Sequence, residues 1–150
     1  MITFPTNMEE VTQNSLVLAG LRLLVADDDD DSRFYITTVL EGDGAIVNTV
    51  ASATEALDLL PEWQPDVFIC DIAMPGEDGY SLIRKVRALK PDHVGQVLAV
   101  ALTAYADSED RIRALEAGFQ IHVAKPIDPG TLVETIANLM DTSNPQHRKS

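Results

Sequence analysis

Asp27, Asp28, Asp71, Thr103 and Lys125 each stand at the end of a short apolar run, and their types suit a single chemistry. Two carboxylates about 4 Å apart repel by roughly 4 kcal/mol at an effective dielectric of 20, so three sharing a crevice need protonation or a cation. Oxygen-only ligands of this hardness suit Mg²⁺, which keeps several waters and takes few protein carboxylates alongside phosphate oxygens. An aspartate beside Mg²⁺ can attack phosphorus to give an acyl phosphate, because the metal and a nearby lysine offset charge on the transferred group. In that scheme Lys125 is the second positive charge, Thr103 offers a hydroxyl to a phosphoryl oxygen, and the small Ala104 leaves room for the group to enter.

This chemistry requires a fold that gathers the ends of separate segments. Five apolar runs of strand length, 21–26, 45–50, 67–70, 97–102 and 121–124, alternate with segments of helical spacing. Those segments carry Ala53, Ala56, Leu57 and Leu60, then Leu82, Ile83, Val86 and Leu89, then Ile112 and Leu115, and finally Leu132, Val133, Ile136, Ala137 and Met140. Ser52 with Glu55 three residues later is a capping-box pattern, Pro61 is expected to stop that helix, and Gly118 follows the fourth helix.

Strands that alternate with helices run parallel through right-handed crossovers, and buried parallel strands read as continuous apolar runs. The pattern therefore predicts an α/β, (βα)₅ three-layer sandwich. In a flavodoxin-like sheet of order 2-1-3-4-5, strands one and three are neighbours, and ligands bind beyond the carboxyl ends at that switch point. Asp27, Asp28 and Asp71 would then meet in one crevice.

The remaining composition limits the alternatives. A chain of 150 residues with 45% apolar content has room for one domain with a real core. No run of eighteen apolar residues and no basic-then-apolar N-terminus is present, so neither a membrane span nor a secretory signal is expected, and the cytoplasm is the default compartment. Cys70, the sole cysteine, reads as a small buried apolar residue. A net charge of −13 disfavours direct nucleic-acid binding and favours basic proteins or divalent cations as partners. Residues 1–20 read as an N-terminal extension, 21–141 as the domain and 142–150 as a polar tail, with no room for an attached output domain.

Four motifs stand in order: Val25-Ala26-Asp27-Asp28-Asp29, Cys70-Asp71-Ile72-Ala73-Met74-Pro75-Gly76, Ala101-Leu102-Thr103-Ala104 and Val123-Ala124-Lys125-Pro126. With these motifs the chain resembles the response-regulator receiver family of two-component signalling, the CheY-like superfamily, over residues 21–141. It is also similar to the receivers fused to hybrid sensor kinases.

The resemblance implies that Asp71 is the phosphoacceptor, Asp28 a direct Mg²⁺ ligand and Asp27 a carboxylate acting largely through metal-bound water. It implies that the Ala73 carbonyl completes the protein ligands, that Thr103 is the switch hydroxyl and that Lys125 contacts the phosphate. It further implies a cis bond between Lys125 and Pro126. His122 sits where the family places a rotating ring, commonly Tyr or Phe, and an immobile strand residue is the other reading there. Ala73 and Tyr105 occupy positions that tune hydrolysis in the family. The implied partners are a histidine kinase or histidine phosphotransfer protein and a downstream protein target. The implied output face joins the fourth predicted helix, the fifth strand and the fifth predicted helix, and it could also serve a homodimer.

Two other functions fit less well. A phosphohydrolase of the haloacid-dehalogenase type wants a second acid two residues after the nucleophile, but that residue is Ala73. A pseudo-receiver that only binds partners would usually lack one of the acids or the lysine, and all are present. The chain is thus expected not to be an enzyme in its own right, beyond assisting its own phosphorylation and dephosphorylation. Asp30 and Asp31 read as a solvated helix cap, Asp29 is undecided, and His93 and His147 read as surface residues.

Overall fold

The computed structural model describes residues 16–104 and 107–143. Its elements follow in the order β1 (Arg22–Ala26), α1 (Asp30–Gly42), β2 (Ile46–Val50), α2 (Ala53–Trp63), β3 (Val67–Asp71), α3 (Gly79–Arg87), a one-turn α4 (Asp92–Gly95), β4 (Leu98–Thr103), α5 (Ser108–Ala117), β5 (Ile121–Ala124) and α6 (Pro129–Ser143). The five strands form one parallel sheet of order β2-β1-β3-β4-β5, the flavodoxin-like arrangement expected of the sequence. In the β1–β3 pairing Ala26 lies opposite Cys70, which puts Asp27 and Asp71 beside each other at the carboxyl edge.

Alternation along the strands feeds two cores. Leu23, Val25, Val67, Ile69, Val100, Leu102 and Val123 face α1 and α6. Leu24, Ala26, Phe68, Cys70, Ala99 and Ala101 face α2, α3 and α5. Both faces of β3 are buried, so it reads as an unbroken apolar run closed by one acid. Leu18, from the segment read as an extension, is fully buried in the first core, and its N–H donates to the Asp43 carbonyl at 3.0 Å. Among the described residues no helix is long and apolar enough to cross a membrane.

Several local expectations need correction. Pro61 does not stop α2; the helix runs on to Trp63 and ends where Gln64 turns left-handed at φ 49°, its N–H donating to the Leu60 carbonyl at 2.9 Å. A proline removes a single intrahelical donor, and the last turn closes around it. Ser52 does cap this helix, accepting from the Glu55 N–H at 3.2 Å. Ile112 and Leu115, the residues that reveal α5 in the sequence, are exposed; α5 buries only Ala114 and Ala117, both in its second half. The short α4 follows a cis Lys90–Pro91 bond and has no periodic signal in the sequence.

The amino end of the sheet is tied by two arginines. The Arg87 guanidinium donates to the Gly118 carbonyl from Nε (2.9 Å) and Nη2 (2.6 Å), to the Gly95 (2.9 Å) and Val97 (2.5 Å) carbonyls from Nη1, and to Gln120 Oε1 (3.1 Å) from Nη2. A guanidinium has five N–H donors, and all are used. Gly118 closes α5 at φ 133°, and a Cβ there would press on Arg87 Cγ at 3.1 Å. At the start of β1, the Arg22 backbone N–H donates to Asp66 at 2.8 Å, while its guanidinium bonds the Trp63 carbonyl and lies 4.7 Å from that ring's centroid.

Candidate functional site

The carboxyl ends of β1, β3, β4 and β5 bring together the side chains expected there. Asp27, Asp28 and Asp71 each offer an oxygen, and these three atoms lie within 4.8 Å of one another. Asp27 and Asp71 are buried and Asp28 is exposed. Lys125 Nζ lies 3.0 Å from Asp71 Oδ1, reaching in from the end of β5, and its backbone N–H donates to the Thr103 carbonyl at 2.8 Å. Thr103 itself is 5% exposed at the end of β4. The bond between Lys125 and Pro126 is cis.

The turn after β1 holds the acidic pair. Asp29 is the N-cap of α1, its carboxylate accepting from the Ser32 N–H at 2.8 Å, and these capping bonds hold its pKa below the usual carboxylate range. The cap therefore falls one residue before Asp30 and Asp31, which occupy the first helical turn. The Asp29 N–H donates to Asp27 Oδ1 at 2.9 Å. Asp27 Oδ2 is buried and has no protein partner.

Burial is the main reason the Asp27 carboxyl is pushed up from its ordinary value; Asp71 and Asp28 add to this, and the Asp29 amide and Lys125 oppose it. Because the folded value is raised, this group favours the folded chain below the unfolded pKa. That contribution is lost as pH rises through the folded value, so the carboxylate form is costly at neutral pH without a counterion. An orphaned acidic oxygen among three clustered carboxylates is the donor set that a hard, oxygen-seeking dication satisfies.

The loop after β3 is shaped by close packing. The Ala73 N–H lies 3.3 Å from Asp71 Oδ1, Gly76 turns at φ 84°, and the Gly79 N–H donates to the Ile72 carbonyl at 2.8 Å. A Cβ on Gly79 would lie 2.8 Å from Ile72 Cα and 2.9 Å from the Asp71 carbonyl oxygen, so only glycine lets α3 start this close to the site. Gly79 lies outside the four motifs, although its place in Gly76-Glu77-Asp78-Gly79, eight residues after Asp71, is a usable signal.

His122 is half-buried on β5, paired with Ala101 and opposite in facing to the core residue Val123. The outer strand therefore turns its ring toward the side that α5 covers. His93 is exposed and touches only Gln64 Oε1, at 3.2 Å, among the bonds of the described residues. Cys70 is fully buried, and its thiol pKa is pushed well up, chiefly by burial. Tyr105 and His147 lie outside the described residues.

Residues 23–137 match the family model described as the response regulator receiver domain. The chain is 45% identical over 120 residues to an uncharacterized 14.6 kDa protein from the sodA1 3′ region of Leptolyngbya boryana, covering 79% of this chain and 89% of that one. It is 29% identical over 141 residues to hybrid signal transduction histidine kinase D of Dictyostelium discoideum, covering 90% of this chain but only 9% of the kinase. Among solved structures it is similar to the chemotaxis response regulator CheY4 of Vibrio cholerae, with TM-score 0.75 and 26% identity over 81% of this chain and 99% of that one.

Proposed function

Since the chain belongs to the response-regulator receiver family, we propose that it accepts a phosphoryl group on Asp71 from a phosphohistidine of a histidine kinase or phosphotransfer protein, and signals by changing its protein contacts. The observation that carries this reading is the convergence of Asp27, Asp28 and Asp71 within 4.8 Å, with Lys125 Nζ 3.0 Å from Asp71. Asp27, Asp28 and Asp71, with the Ala73 carbonyl, would hold Mg²⁺, which when bound neutralises charge on the transferred group.

In the transfer, an Asp71 carboxylate oxygen forms a bond to phosphorus as the donor's P–N bond breaks, and the departing imidazole keeps the electron pair and takes up a proton. Lys125 offsets charge on the phosphoryl oxygens and holds Asp71 in place beforehand. The Thr103 hydroxyl then bonds one of the new oxygens, and the segment leading to α5 is drawn with it. His122 turning inward would complete the change. The face of α5, β5 and α6, where Ile112, Leu115 and Ile121 are exposed, would meet the downstream protein or a second copy of the chain. Residues 21–141, with Leu18 packed into their core, are the working unit, with no direct nucleic-acid contact and a cytoplasmic setting.

The test is intact-mass spectrometry after incubation with acetyl phosphate and Mg²⁺. One phosphoryl group should be gained, removable by hydroxylamine and absent when Mg²⁺ is chelated. Labelling of Asp71→Asn at the wild-type level would overturn the assignment.

A further inference from the structure

Arg33 lies outside the set of strand-end residues, yet it is bonded to one of them, Asp27. Its Nη1 donates to the Asp27 carbonyl oxygen at 2.7 Å, its Nη2 bonds the Asp30 carboxylate, and its side chain is only 19% exposed. Asp27 is restrained at its other groups as well. Its N–H donates to the Val50 carbonyl at 3.1 Å, and its Oδ1 accepts from the Asp29 N–H at 2.9 Å. Three restraints, two from α1 and its cap and one from β2, thus leave Oδ2 as the one polar atom of Asp27 with no protein partner.

We propose that Arg33 is a positioning residue for the acidic pair. Through the Asp27 carbonyl it fixes the turn of residues 27–29, so that Asp27 Oδ2 and Asp28 meet a divalent cation in a site already formed. This rests on the reading of Asp27, Asp28 and Asp71 as a cation site. The geometry separates positioning from simple charge balance. The guanidinium bonds the main chain behind Asp27, and its other arm is held by Asp30, on the first turn of α1. A planar fork can join a carbonyl and a carboxylate at fixed angles, whereas an ammonium on a flexible stem cannot hold the same pair. Acting as charge alone, Arg33 would repel the cation, and its removal would tighten binding.

The experiment is calorimetric titration with Mg²⁺ alone, at fixed ionic strength, of the wild-type chain, Arg33→Gln and Arg33→Lys. It is paired with the rate of labelling by acetyl phosphate at limiting and saturating Mg²⁺. Loss of an outer partner that orients a ligand commonly costs ten- to a hundredfold in metal affinity, so Mg²⁺ should bind about tenfold more weakly to both variants. Labelling at saturating Mg²⁺ should stay within about twofold of wild type, because the reacting groups are untouched. Equal or tighter binding by Arg33→Gln, or wild-type binding by Arg33→Lys, would overturn the proposal. Should Arg33→Gln fail to fold by circular dichroism, Arg33→Lys decides alone. Failure of the wild-type chain to bind Mg²⁺ would instead bring down the site reading, and this inference with it.

Discussion

At the amino end of the sheet a partly buried cation, Arg87, has a partner for each of its five donors. At the carboxyl end a buried carboxylate, Asp27, keeps an oxygen with none. Both groups border the same five-stranded sheet, Arg87 from the last residue of α3 and Asp27 from just past β1, with hydrophobic cores on both faces between them. The difference shows that buried charge here is allotted by task. One rim is completed by the chain itself and holds elements together, while the other, under the proposed function, is the one a cation would complete. A polar group with every bond made adds rigidity, whereas one left short stores free energy that a ligand can release.

This contrast can be broken by mutation. Asp71→Asn should remove essentially all labelling by acetyl phosphate while leaving the thermal midpoint close to wild type, as measured by intact mass and by circular dichroism. Next, Lys125→Ala should slow labelling by about a hundredfold, as removal of one charge-stabilising donor does elsewhere. A rate near wild type would show that the 3.0 Å contact with Asp71 has no part in transfer.

Arg87→Ala should do the reverse. It strands carbonyls at the ends of α4 and α5 and should lower stability by about 2–3 kcal/mol in urea unfolding. Labelling of its folded fraction should be nearly unchanged, and a labelling defect as large as that of Lys125→Ala would abolish the distinction between the rims. The smallest effect is expected from Asp27→Asn, which keeps the shape and removes the costly charge. Without Mg²⁺ it should gain about 1 kcal/mol at neutral pH. Because the Asp27 pKa is raised on folding, that gain should shrink as pH falls through the folded value and vanish below the unfolded one. A gain unaffected by pH would exclude ionisation as its cause.

The strands and the gathering of Asp27, Asp28, Asp71 and Lys125 were legible because parallel buried strands write themselves as apolar runs with polar ends. What the sequence hid depends on packing between distant segments. Nothing local marks Arg87 as a clamp, since its acceptors are backbone carbonyls that every residue type carries. Arg33 was hidden for the same reason, its partner being the main chain of Asp27. Ile112 and Leu115 gave the right helix and the wrong face, because α5 approaches the sheet through alanines that let backbones come close. In the aspartate run, the sequence pointed to Asp30 and Asp31 as the cap, and the backbone conformation at Asp29 moves it one residue earlier, because composition alone does not distinguish neighbouring carboxylates.

The uneven seating of α5 carries one more consequence. Its first six residues contribute no buried side chain, while Ala114, Ala117 and the Arg87–Gly118 bonds secure its far end. Amide protons near Ser108 should therefore exchange with solvent much faster than those near Ala117, since opening the first turn exposes hardly any apolar surface. A rod pinned at one tip can swing under a small pull at the other, and under the proposed function that pull would come from Thr103 at the end of β4.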